Sequence, residues 1–140
     1  ATLAGARARL ETWLRHQGLT PGDDIALDTG SGLSHDERGK PRALVQLLRQ
    51  AWVSQQARAF VDSLPVAGID GTLAHRMTSG AARGMAFLKT GTLLDTRALA
   101  GYVRGYSGRT YAVAALVNHP QAQRATPALD ALIEWLVRNG

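Results

Sequence analysis

The sequence predicts an α+β fold: a helical N-terminal half, then an antiparallel three-stranded sheet with a last helix packed across it. Three observations predict it. Apolar residues recur near helical spacing in two N-terminal segments, residues 2–17 and the stretch after Pro41. From residue 85 the pattern changes to extended runs separated by turn signals. A final segment opens on Thr126-Pro127 and carries an apolar stripe of helical period.

Residues 2–17 read as an amphipathic helix whose apolar positions are Leu3, Leu10, Trp13 and Leu14, with Gly18 as a C-terminal cap. Residues 19–40 are loop-like and include Asp28-Thr29-Gly30-Ser31-Gly32-Leu33-Ser34. Pro41 suits the first turn of a second helix, with Leu44, Val45, Leu47, Leu48, Ala51 and Trp52 on its apolar side. A short helical piece, 55–64, stops at Pro65, and 65–84 is rich in turn signals. Strands are expected over 84–92, 97–106 and 110–118, with Tyr106-Ser107-Gly108-Arg109 as a hairpin turn. The third strand is almost wholly apolar, which predicts burial on both faces. In the last helix Thr126 is the expected N-cap, Pro127 the first helical residue, Asp130 a charge for the positive end, and Leu129, Leu132, Ile133, Leu136 and Val137 the buried stripe.

At 140 residues the chain has the length of one domain, and residues 1–140 show no internal repeat and no second domain. No apolar stretch approaches the roughly 18 residues of a membrane helix. There is no cysteine, which excludes thiol catalysis, disulfides and thiolate metal sites. The net charge of +5 comes with arginines spread along the whole chain, the pattern of a solvated surface and not of a clustered nucleic-acid footprint.

Of the 16 basic residues only Lys40 and Lys89 are lysines. Lys89 follows Met85-Ala86-Phe87-Leu88 on what reads as a buried strand, where an ammonium is costly unless paired or used. Lys89-Thr90-Gly91-Thr92 offers an ammonium and two hydroxyls to a substrate carboxylate, and glycine leaves room for a substrate backbone. A strand end with a snorkelling lysine accounts for the same residues. Ser31 and Ser34 are either turn formers or a hydroxyl held at a cleft rim as a proton relay. His16, His35, His75 and His119 lack metal-ligand spacing, so neither a metal nor a cofactor is expected. The loop acids Asp23, Asp24, Asp28, Asp36, Glu37 and Asp70 fit turn and capping roles. No serine is followed three residues later by lysine, and G-x-S-x-G is absent, so the chain holds no recognisable serine nucleophile.

Four blocks in order carry a resemblance: the 28–34 segment, Leu64-Pro65-Val66-Ala67-Gly68-Ile69-Asp70-Gly71-Thr72-Leu73, Lys89-Thr90-Gly91-Thr92-Leu93, and Leu99-Ala100-Gly101-Tyr102. Together they resemble the C-terminal part of the class C low-molecular-mass penicillin-binding proteins, the D-alanyl-D-alanine carboxypeptidase/endopeptidases that trim bacterial peptidoglycan. The resemblance implies the C-terminal half of a penicillin-recognising serine transpeptidase/β-lactamase-like domain. It matches Lys89, Thr90 and Gly91 to the family's third motif and Ser31 to the second, with Ser34 as the alternative. Leu33 stands where the second motif usually has asparagine.

The resemblance also implies a serine-type acyl-enzyme mechanism, β-lactam acylation and a periplasmic or other extracytoplasmic location. In it, Ser31 and Lys89 are catalytic, and Thr90, Gly91 and Thr92 bind substrate. The first motif, Ser-x-x-Lys, is absent, which predicts a fragment inactive by itself. The implied partners are D-Ala-D-Ala stem peptides, β-lactams and the missing N-terminal portion, with homo-oligomerisation a further route to cover an open sheet edge. Two other readings compete: a stand-alone, non-catalytic module binding peptidoglycan peptides or β-lactams, and a basic nucleic-acid-binding domain.

Overall fold

The computed structural model describes residues 2–140, and the chain divides into two compact units, Ala1–Leu47 and Leu48–Gly140. The first unit opens with α1 (Leu3–His16), where the Thr2 hydroxyl caps the helix by accepting the Gly5 N–H. Gly18, at φ 75°, ends it as expected. The N–H of Leu19 reaches back to the Leu14 carbonyl at 3.0 Å, and both side chains are buried with Ala43. The predicted apolar stripe of α1 is not buried as a whole: Leu3, Leu10 and Trp13 are 53%, 48% and 48% exposed. The unit's core meets this helix only at its last turn, through Leu14.

The expected loop 19–40 contains a two-residue ladder, β1 (Ile25–Ala26) against β2 (Arg38–Gly39). Beside it Asp24 is buried, accepting the Thr20 N–H at 2.9 Å and facing Lys40 and Arg42. The Thr20 hydrogen bond first, and then the two cations, outweigh burial and hold its carboxyl below the ordinary 3.8. A lowered folded pKa stabilises the fold above the unfolded value and ceases to do so as pH falls through the folded one. Thermal unfolding followed against pH should therefore show a loss of stability below 3.8. Asp24→Asn should be less stable at neutral pH and lose part of that acid dependence; an unchanged acid profile in the variant would remove Asp24 from this role.

The unit boundary falls within α2 (Pro41–Trp52), and α3 (Ala57–Asp62) follows. In the second unit β3 (Ala86–Leu93), β4 (Thr96–Arg104) and β5 (Thr110–Asn118) form an antiparallel sheet in the order β3-β4-β5, and α4 (Thr126–Asn139) closes the chain. Side-chain alternation divides the sheet into two faces. Ala86, Leu88, Leu99 and Val103 pack with Leu129, Ile133 and Val137 of α4. The opposite face carries Tyr102, buried with Leu48 and Leu64, and its phenol donates to the Leu48 carbonyl at 2.6 Å.

Gly101 has a backbone conformation that would aim any side chain at the backbone of β3. Its φ is 155°, and a Cβ there would lie 2.0 Å from the Phe87 carbonyl oxygen.

Expectations for β5 and for the last helix are corrected in this unit. β5 is not buried on both faces: every residue between its exposed ends is half-buried, because β4, not β5, is the central strand. Its apolar run reflects an edge that packs Val113, Ala115 and Val117 on one side and Ala112 on the other. Thr126 is not an N-cap but the first helical residue; Ala125 holds the cap position, and Pro127 sits one place further in. Asp130 serves an ion pair with Arg76, not the helix end. The stripe itself holds at Leu129, Ile133 and Val137, while Leu132 is exposed.

Candidate active site

The four residues Lys89 to Thr92 lie on β3, opposite Ala100, Leu99, Ala98 and Arg97 of β4. β3 is an edge strand. Its outer side is covered at the start, where the Ala67 N–H donates to the Ala86 carbonyl and the Leu88 N–H to the Pro65 carbonyl, both at 2.9 Å. Backbone groups alternate sides along a strand, so those of Thr90 and Thr92 point the same way as those of Leu88, away from β4. Beyond Leu88 the outer edge of β3 thus presents the N–H and C=O of two threonines.

Lys89 is exposed, not buried. The strand turns Ala86 and Leu88 into the core beneath α4, which leaves Phe87 and Lys89 on the other face. The packing of that face reaches Phe87. The ammonium donates to the Thr90 carbonyl at 2.6 Å, on the outer edge of the strand. It therefore carries no burial penalty here, and the energetic argument for its use gives way to a positional one.

The Thr90 hydroxyl donates to the Thr72 hydroxyl at 2.8 Å. Gly91 has no conformational need to be glycine, but a Cβ there would stand 3.3 Å from that of Ala98, so its absence keeps the strand surface flat. Thr92 is exposed.

Ser31 and Ser34 belong to the first unit. Ser34 is half-buried and committed to its own loop: its hydroxyl donates to Asp28 and accepts the Asp36 N–H. Asp28 is in turn held by Arg7, and Glu37 accepts the Gly30 N–H at 2.7 Å. Ser31 is exposed at the tip of this loop, its hydroxyl 2.9 Å from that of Thr29. The loop acids Asp24, Asp28, Glu37 and Asp70 thus bind backbone N–H groups, a neighbouring hydroxyl or cations, as turn residues do. Among the described residues no three imidazole or carboxylate groups converge as a metal site.

The structure brings Lys89, Thr90, Gly91 and Thr92 together on one strand edge and adds Thr72 to them. No spacing in the sequence links Thr72 to β3; the only signal was its place in the Leu64–Leu73 block.

The chain is similar to known proteins along nearly its whole length. The model of one family, described as D-Ala-D-Ala carboxypeptidase 3 (S13), matches residues 1–139. The D-alanyl-D-alanine carboxypeptidase of Actinomadura sp. strain R39 is 43% identical over 89 residues, 60% of this chain and 16% of that protein. Carboxypeptidase DacB of Mycolicibacterium smegmatis is 36% identical over 137 residues, 92% of this chain and 30% of the relative. The crystal structure of penicillin binding protein 4 (dacB) from Haemophilus influenzae superposes with a TM-score of 0.79 at 23% identity, covering 96% of this chain and 33% of that one. The same protein has also been solved with a β-lactam. The chain spans a third or less of the length of each of these proteins.

Proposed function

Because the chain belongs to the D-Ala-D-Ala carboxypeptidase 3 (S13) family, as the C-terminal part of a low-molecular-mass penicillin-binding protein, we propose that it supplies the substrate-binding wall of a serine D-alanyl-D-alanine carboxypeptidase/endopeptidase. The intact protein hydrolyses peptidoglycan stem peptides through an acyl-enzyme and is acylated by β-lactams. Its substrate places it outside the cytoplasm. The observation that carries this reading is the outer edge of β3, where the backbone groups of Thr90 and Thr92 face outward beside the Lys89 ammonium.

The chemistry follows from what each group can do. A serine outside this chain attacks the D-Ala-D-Ala carbonyl after the lysine of its Ser-x-x-Lys motif takes the hydroxyl proton. The outward N–H of Thr92 donates to the oxyanion that forms, and the nucleophile's own N–H is the second donor. Lys89 raises the positive potential of the cleft, and the Thr90 hydroxyl binds the terminal carboxylate. Gly91 lets the substrate backbone lie along the strand. Ser31 relays the proton to the leaving amine; both serine hydroxyls have partners in their own loop, and that of Ser31 is the more exposed. The carbonyl–nitrogen bond breaks, D-alanine leaves, and water releases the acyl group.

Incubation with a fluorescent penicillin tests the reading. The 140-residue chain should give no labelled band on a denaturing gel, and the intact protein should give a stable one. A labelled band from the chain alone would overturn the division of labour proposed here. Absence of a band from the intact protein would overturn the acyl-enzyme mechanism. Reversible β-lactam binding by the chain with no acylation of the intact protein would favour a non-catalytic binding module.

A further inference from the structure

Thr72 is exposed, yet the residues on both sides of it are held in place. Leu73, next to it, is fully buried in the core beneath α4. Gly71 takes φ 54° against Pro65, and a Cβ there would come within 3.0 Å of the proline ring. Asp70 accepts the Val66 N–H at 2.7 Å. After the turn, Arg76 grips Asp130 of α4 through two nitrogens, and the Ala81 N–H donates to Glu134 at 2.6 Å. The segment that pairs with the start of β3 at Pro65 and Ala67 therefore returns to set one hydroxyl beside Thr90, which is 18 positions away in sequence. A solvent-facing turn threonine needs none of this.

We propose that Thr72 is a positioning residue for Thr90, and through it a determinant of selectivity for substrates with a free carboxylate. The inference rests on the reading of Thr90 as the carboxylate-binding hydroxyl. Each hydroxyl has one proton to give and lone pairs to receive, whereas a carboxylate only receives. Without substrate, Thr90 donates to Thr72 at 2.8 Å. When a carboxylate arrives, the Thr90 proton turns to it, and Thr72 donates its own proton to the Thr90 oxygen. The bond between the two threonines reverses direction and is never lost. Thr90 thus keeps its rotamer and gains a charge-assisted hydrogen bond.

The test compares acylation of the intact protein by benzylpenicillin and by its methyl ester, which has no carboxylate. Thr72→Val keeps the side-chain shape and removes the hydroxyl. It should slow acylation by benzylpenicillin about tenfold, the scale of one hydrogen bond, and leave the ester rate unchanged. Thr72→Ser should restore the carboxylate preference, which a purely structural role for the turn would not produce. Thr90→Val is the reference and should lose that preference outright. If it does while Thr72→Val slows both compounds equally or neither, the role of Thr72 is overturned and the reading of Thr90 stands. If Thr90→Val keeps the preference, the carboxylate-binding reading of β3 itself falls.

Discussion

Lys89→Ala in the intact protein is expected to slow β-lactam acylation by about 10²–10³-fold, the scale of removing one preorganised electrostatic group from an acyl-transfer site. Its thermal midpoint should not move. Both halves follow from position. The side chain is exposed, and its ammonium meets the Thr90 carbonyl, so truncation opens no cavity and orphans no buried partner. What it removes is the positive charge that the ammonium holds at the Thr90 carbonyl, on the outer edge of the strand. Stopped-flow acylation with calorimetry separates the two effects. Wild-type kinetics in the variant would remove Lys89 from the mechanism, and a large drop in midpoint would recast it as a structural residue.

Gly101→Ala should have the largest effect on stability. A Cβ at this position would overlap the Phe87 carbonyl oxygen at 2.0 Å and press on the Leu88 Cα at 3.0 Å. Both contacts are backbone, so no rotamer change relieves them. β3 and β4 would have to part in the middle of their ladder, where Leu88 opposes Gly101. The cost should be about 3–5 kcal/mol, at the upper end for single substitutions, measured by urea unfolding of the intact protein. A loss below about 1 kcal/mol would mean that the strands part easily. Residual folded protein should also acylate slowly, because Thr90 and Thr92 lie on the strand that must shift.

The helices and the three strands were legible in the sequence because their periodicity is local: the bounds of β5 were read to the residue, and Gly18 ends α1 where the pattern says. What failed was everything that depends on neighbours. An apolar run reads the same in a central strand and in an edge strand, so the half-buried state of β5 could not be seen. Lys89 looked buried because its sequence neighbours are, although alternation puts it on the opposite face from Ala86 and Leu88. Leu3, Leu10 and Trp13 have helical spacing, but the sequence does not say what packs against them. Lys89-Thr90-Gly91-Thr92 was visible as a motif. Thr72 was not, because its partnership with Thr90 exists only once the 65–84 segment is folded against β3.

The carboxylates of α4 that hold the 65–84 segment also imply an order of events during folding. The β3-β4-β5 meander closes through two short turns, so its contacts form with little loss of chain entropy. The clasp of Asp130 on Arg76 and of Glu134 on Ala81 joins positions 54 and 53 residues apart, and cannot form until the last helix has docked. On contact order, the strand that bears Lys89 and Thr90 is expected to pair with β4 before the segment that carries Thr72 is fastened to α4.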